Sequence, residues 1–188
     1  GFARYNAGGI QVYINLEDYE STIIGKYAGD SLLGTKRFRN VFIGYKTGQF
    51  SVDPVENILI GWEAGKNIRT GSNNIILGRN TDFGAINNVN NVIAVGFENL
   101  INSAVDNTIT IGRSNSNYGV NTITLGNTNI SQGSNNLISG INNINYGNDV
   151  IMLGNVNNII QPINNSLIIG NNNLIDFGAS TGTGNSNV

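Results

Sequence analysis

Glu17, Asp18 and Glu20, within the stretch NLEDYE, form the densest acidic group in the chain. Paired carboxylates are the equipment of glycoside hydrolysis, one acting as acid and the other as base or nucleophile. No loop of more than about ten residues accompanies them to wall a cleft, and they stand ahead of the repeating part of the chain. They therefore read as a solvated face, and no catalytic residue and no enzyme is expected. A second set is aromatic. Tyr27, Tyr45, Trp62 and Phe97 each follow, by one or two residues, one of the glycines Gly25, Gly44, Gly61 and Gly96. Rings on a surface stack on sugars, which makes these four the candidate ligand-binding residues; stacking on one another is the competing reading. Thr108/Thr110 and Thr122/Thr124 offer two Thr-x-Thr rows of the kind that bind ice, two rows rather than a plane. Histidine and cysteine are absent, which removes the commonest general base, the commonest metal ligand and any thiolate. No calcium-binding G-G-x-G-x-D array, P-loop or dinucleotide fingerprint occurs, so no metal and no cofactor is expected.

What positions these residues is a repeat. A short aliphatic run closed by glycine recurs as NVFIG to Gly44, NILIG to Gly61, NIILG to Gly78, NTITIG to Gly112, NTITLG to Gly126 and NSLIIG to Gly170. With Gly25, Gly96, Gly140 and Gly154 the marks are ten, spaced 19, 17, 17, 18, 16, 14, 14, 14 and 16, with a weaker echo at Gly178. Units this short cannot hold two helices, and β-branched residues dominate the runs. Each run therefore predicts a strand of four or five residues. A second short strand is expected after it, giving one side chain such as Ile130, Ile144 or Leu174 to the interior. Two strands and two turns per unit make an all-β parallel β-solenoid of about ten coils of 14–19 residues. A coil buries three or four aliphatics worth roughly 1.5–3 kcal/mol each, while ordering each of its residues costs roughly 1–2 kcal/mol. One coil cannot fold alone, and stacked coils can. At about 4.8 Å per strand, ten coils make a rod roughly 45–50 Å long.

Asparagine is the commonest residue, 36 of 188, with isoleucine next at 27. Asn and Gly tolerate left-handed turns, and stacked Asn side chains form amide ladders. Asn40, Asn57, Asn74, Asn107, Asn121, Asn136 and Asn165 begin their strands, so one ladder is expected there. Pro54 and Pro162 fall between marks, where proline is expected to end pairing and let loops bulge out. Residues 1–19 read as a non-repeat lead-in, 20–178 as the solenoid and 179–188 as a Gly/Ser/Asn-rich tail or linker. The chain opens on Gly1 rather than Met, which points to a processed chain or a fragment.

All ten Lys and Arg lie at or before Arg113, and beyond it only Asp149 and Asp176 are charged. So uneven a supply of cations argues against nucleic acid as a partner. No apolar run approaches the length of a membrane-spanning helix. The runs VFI, ILI, IIL, VIML and LII are apolar on both faces, as strands covered on both sides are. With one face in the coil interior, Phe42, Leu59, Ile76, Met152 and Ile168 are expected on the other as an apolar stripe. The simplest cover for such a stripe is identical chains meeting along the rod in a closed homo-oligomer.

The units NTITIG and NTITLG resemble the head repeats of YadA-like trimeric autotransporter adhesins. IGKYAG (24–29), IGYKTG (43–48) and IGWEAG (60–65) resemble more closely the IGYxAG-type repeats of bacteriophage tail fibres. The resemblance covers residues 20–178 as a loose pattern; the spacing drifts, and Asn stands where Ala and Ser are usual. It implies a left-handed parallel β-roll, three chains around a common axis, and a place on the virion surface or, failing that, a bacterial cell surface. The function expected is a structural segment of a trimeric surface fibre, a phage tail or virion fibre, that presents or contributes to host-receptor attachment. The partners implied are its own copies, other fibre or baseplate subunits and a host surface glycan. The alternatives are a bacterial adhesin head or an amyloid-like extracellular matrix fibre.

Overall fold

The computed structural model describes residues 2–7, 10–15, 20–32, 38–84, 88–102, 106–160 and 163–176. Glu17, Asp18, Pro162, the echo at Gly178 and the tail lie outside them. The described chain is all β and winds as a parallel solenoid. Its long sheet has twelve strands, of which the last ten are parallel rungs, each ending within one residue of its closing glycine. Ten rungs enclose about nine turns. From Ile75 onward a second, seven-stranded parallel sheet of two-residue strands faces the first, from Asp82–Phe83 to Leu174–Ile175. The lead-in contributes an antiparallel hairpin, Phe2–Ala7 with Ile10–Asn15, whose second strand pairs antiparallel with the first rung at Thr22–Ile24.

Register is kept by the closing glycines. Gly96, Gly112, Gly126, Gly140 and Gly154 pair in direct succession. At Gly126 φ is +115°, and a Cβ would stand 1.9 Å from the carbonyl oxygen of Gly140 in the next rung. Conformation and contact both require glycine there, and the other marks repeat the geometry. Each rung also turns two left-handed corners. The residue five before the glycine and the residue two after it have positive φ in all ten rungs, from Glu20 and Tyr27 to Asn165 and Asn172. Asn fills many of these places because it adopts that conformation at least cost after Gly.

The side chains face opposite to the expectation in both sheets. Phe42, Leu59, Ile76, Met152 and Ile168, expected as an outer stripe, are fully buried inside the coil. Thr110 and Thr124 occupy the same inward position in their rungs, with Thr108 and Thr122 two residues earlier, and all four are fully buried. In the short strands Ile130, Ile144 and Leu174 are not the inward residues; Ser131, Asn145 and Ile175 after them are. The interior thus falls into three stretches. One apolar cluster runs from Phe42 to Ile101 and another from Ile138 to Ile175. Between them the rungs closing at Gly112 and Gly126 are filled by Thr108, Thr110, Asn117, Thr122, Thr124 and Ser131. The Asn117 amide reaches the hydroxyls of Thr110 and Thr124 at 3.4 and 3.5 Å, and its carbonyl accepts from the Gly119 N–H at 3.0 Å. A two-sheet coil this thin suits small side chains that bond across it.

Pro54 corrects a further expectation. It sits inside the strand Asp53–Val55, opposite Gly71 of Thr70–Ser72, and is buried. Proline forfeits only its own N–H on this two-stranded edge. Its carbonyl still accepts a hydrogen bond from the Asn40 amide at 2.8 Å.

Asparagine builds more than the one ladder expected. Asn40, Asn57 and Asn74 form a buried one, in which the Oδ1 of Asn40 and of Asn57 accepts the backbone N–H of the next member at 3.0 Å. Asn107 and Asn121 belong to a separate exposed run, Asn91–Asn107–Asn121–Asn135–Asp149. Asn136 bonds inward, to the Ser131 hydroxyl and the Gly147 carbonyl, and Asn165 stands at a left-handed corner. The longest ladder lies outside the expectation. Asn99, Asn115, Asn129, Asn143, Asn157 and Asn173 lie three residues after their glycines, and each Oδ1 up to Asn157 accepts both the backbone and side-chain N–H of the next member. Their amides also donate to the closing glycine of the next rung, at 2.7 Å from Asn115 to Gly126. In the earlier rungs Thr47 and Thr81 donate from the same position to Gly61 and Gly96.

Candidate functional site

Two surfaces of the rod are chemically distinct, and both follow from the strand register. The first is the outer face of the long sheet. Three residues and one residue before each closing glycine point away from the interior, and in every rung but two both are Ile, Leu or Val; the exceptions are Thr22 and Ser139. Parallel pairing sets Ile75, Ile93, Ile109, Ile123, Leu137, Ile151 and Leu167 in one line. Leu77, Val95, Ile111 and Leu125 form a second line beside the first. Ile111 is 42% exposed, Ile151 42% and Ile169 58%. The result is an apolar stripe two side chains wide that follows the stack of rungs, broken at Thr22 and Ser139. A soluble surface rarely carries so continuous an apolar strip without a partner.

The second surface lies at the corner just after the glycines. The carbonyl of the residue following one glycine accepts the N–H two places after the next, linking Lys26, Tyr45, Trp62, Arg79, Phe97 and Arg113 into one column through bonds such as Asn80 N–H to Trp62 O at 2.8 Å. Three of the four aromatic candidates come together here. Tyr27 meets Tyr45 edge-on at 6.0 Å between centroids, and Tyr45 stacks on Trp62 at 4.5 Å with 37° between planes. Trp62 remains 52% exposed. Phe97 is apart from the trio, with Arg79 intervening in the column. Its ring is flanked by the guanidinium groups of Arg79 and Arg113, each 5.5 Å from the ring centre. The two arginines are absent from the sequence candidates; their signal was their position one residue after Gly78 and Gly112.

Lys46 and Lys66 lie near the rings of Tyr45 and Phe50 and share Glu63, at 3.5 and 3.3 Å. Glu20, the described member of the acidic candidates, sits exposed at a left-handed corner. Among the described residues no three His, Cys, Asp or Glu gather as metal ligands. The threonine rows cannot meet ice, because all four hydroxyl-bearing side chains are buried. One carboxylate is out of the ordinary: burial pushes Asp82 up from 3.8 to about 6, against hydrogen bonds from the Asn67 and Phe83 backbone N–H groups and the Asn67 amide that pull it down. It joins two adjacent rungs and, among the described residues, faces no second acid that would make a catalytic pair. Searched against protein families, curated proteins and solved structures, the chain matches none.

Proposed function

We propose that this chain is a structural segment of a trimeric surface fibre, of the phage tail or virion type, that holds a recognition surface away from the particle and contributes to attachment itself. The observation that carries the reading is the aliphatic stripe on the outer sheet face. Inside the coil, Thr and Asn are accommodated; on the outer face of the long sheet, where water should favour them, nearly every place is Ile, Leu or Val. A stripe that passes from rung to rung in register can be met along its length by copies of the chain arranged about an axis parallel to the rod, which bury it without leaving a free apolar edge. Three copies is the number carried by the fibres whose repeats these resemble. A bacterial adhesin head would use the same surface. An end-to-end amyloid-like stack is opposed by the antiparallel hairpin, which interrupts the parallel register at the first rung.

Light scattering on the purified chain tests this. The expected mass is three times 20.1 kDa, and Ile111→Asp with Ile123→Asp should reduce it to one chain while β-structure persists. A wild-type chain that scatters at the monomer mass removes the proposal, and filaments that lengthen with concentration turn it toward the matrix-fibre reading.

A further inference from the structure

Arg79 and Arg113 are exposed, lie two rungs apart and hold one phenyl ring between them. Among the described residues neither makes an ion pair or a side-chain hydrogen bond. Glu98 stands at the adjoining corner position without coming into ion-pair distance of either, and Glu63 is taken up by Lys46 and Lys66. Surface arginines in a chain with acids to spare usually find one. Each guanidinium instead lies over the Phe97 ring at 5.5 Å, with its N–H groups not taken up by an acid, and a guanidinium so placed is a planar fork that can receive a carboxylate or sulfate in bidentate fashion. The two lie roughly 9–10 Å apart, two strand spacings. The same column continues through Trp62 and Tyr45 to Lys26 without an acidic residue, and beyond Arg113 it turns to Asn127, Ile141, Asn155 and Asn171. Within this column the cations and rings are thus confined to the first six rungs, beside the apolar stripe rather than within it.

We infer that this strip binds a linear acidic polysaccharide. Arg79 and Arg113 receive successive carboxylate or sulfate groups, and Trp62 and Tyr45 lie against the sugar units that follow. This deepens the fibre reading, on which the choice of a glycan as partner rests. A nucleic acid is the poorer fit, because three cations in the column neutralise few phosphates.

The full-length chain is titrated with size-defined heparin oligosaccharides, with oligogalacturonate, with neutral dextran and with single-stranded DNA. The two acidic oligosaccharides are expected to bind and dextran not to. Arg79→Gln with Arg113→Gln should weaken binding at least tenfold and Trp62→Ala several-fold, whereas Arg69→Gln, outside the column, should leave it unchanged. Mass and circular dichroism of every variant are measured on the same samples, and each is expected to match the parent. Absence of binding to both acidic oligosaccharides, equal affinity of the double arginine variant, or preference for DNA overturns the inference. A trimer that binds no glycan removes the strip alone. A monomer that binds removes the fibre reading alone.

Discussion

At the closing glycines a single methyl group is enough to break the stack. Gly126→Ala places a Cβ within 1.9 Å of a backbone oxygen that belongs to the neighbouring rung and cannot swing aside. The substitution also forces a φ of +115° on an L side chain. The expected cost is at least about 3 kcal/mol, from backbone strain and the shift of a ladder bond together, read as a fall in the thermal midpoint. Asn129 is the companion case. Its carbonyl receives two N–H groups from Asn143, and its amide reaches Gly140. Asn129→Ala strands buried donors and an acceptor, at about 1–3 kcal/mol, whereas replacing the exposed Asn127 should change little. Asp82 gives a pH signature. Its folded value near 6 lies above 3.8, so its contribution to stability is fully present below the ordinary carboxylate range and is lost as pH rises through about 6. Stability should therefore decline between about pH 4 and pH 6, and Asp82→Ala should flatten that part of the profile; an unchanged slope counts against the burial argument.

At the scale of the strand, the period was legible and the facing was not. The glycine marks, the two strands per unit and the left-handed corners follow from residue types that tolerate few conformations. Which side of a strand faces inward has no such marker in VFI, ILI or LII, where both sides are aliphatic. In NTITIG and NTITLG the alternation is clear, yet the rule that apolar residues go inside picks the wrong side, because here the coil interior is filled by hydroxyls and amides and the aliphatic side chains lie on the outer face. The amide ladder beginning at Asn99 is hidden for a related reason: its members stand after the glycine, outside the aliphatic run that marks the repeat. The aromatic trio is legible from its place one or two residues after glycine, whereas the arginines one residue after glycine are not, because charge alone suggests solvent. The polar middle of the rod offers a test at this scale. Thr110→Val with Thr124→Val removes both hydroxyl partners of the Asn117 amide, and should destabilise by about 1–3 kcal/mol. Adding Asn117→Val removes the stranded group as well and should recover most of that loss in the same melting experiment.

For the whole molecule, the important property is that successive rungs from Gly112 to Gly154 are built to one plan of 14 residues, with the same glycine, the same buried amide and the same outward aliphatic pair except at Ser139. Excising 127–140 would bring Arg113–Gly126 directly beneath Ile141–Gly154, with an amide at Asn115 meeting one at Asn143 and glycine meeting glycine. The shortened chain should assemble to the same number of subunits, with a shaft shorter by roughly 4.8 Å, measurable by small-angle scattering. Length is consequently a digital quantity for this architecture. Gain or loss of one lap changes the length of the rod by one strand spacing and leaves the line of glycines, the amide ladder and the outward aliphatic pair in register.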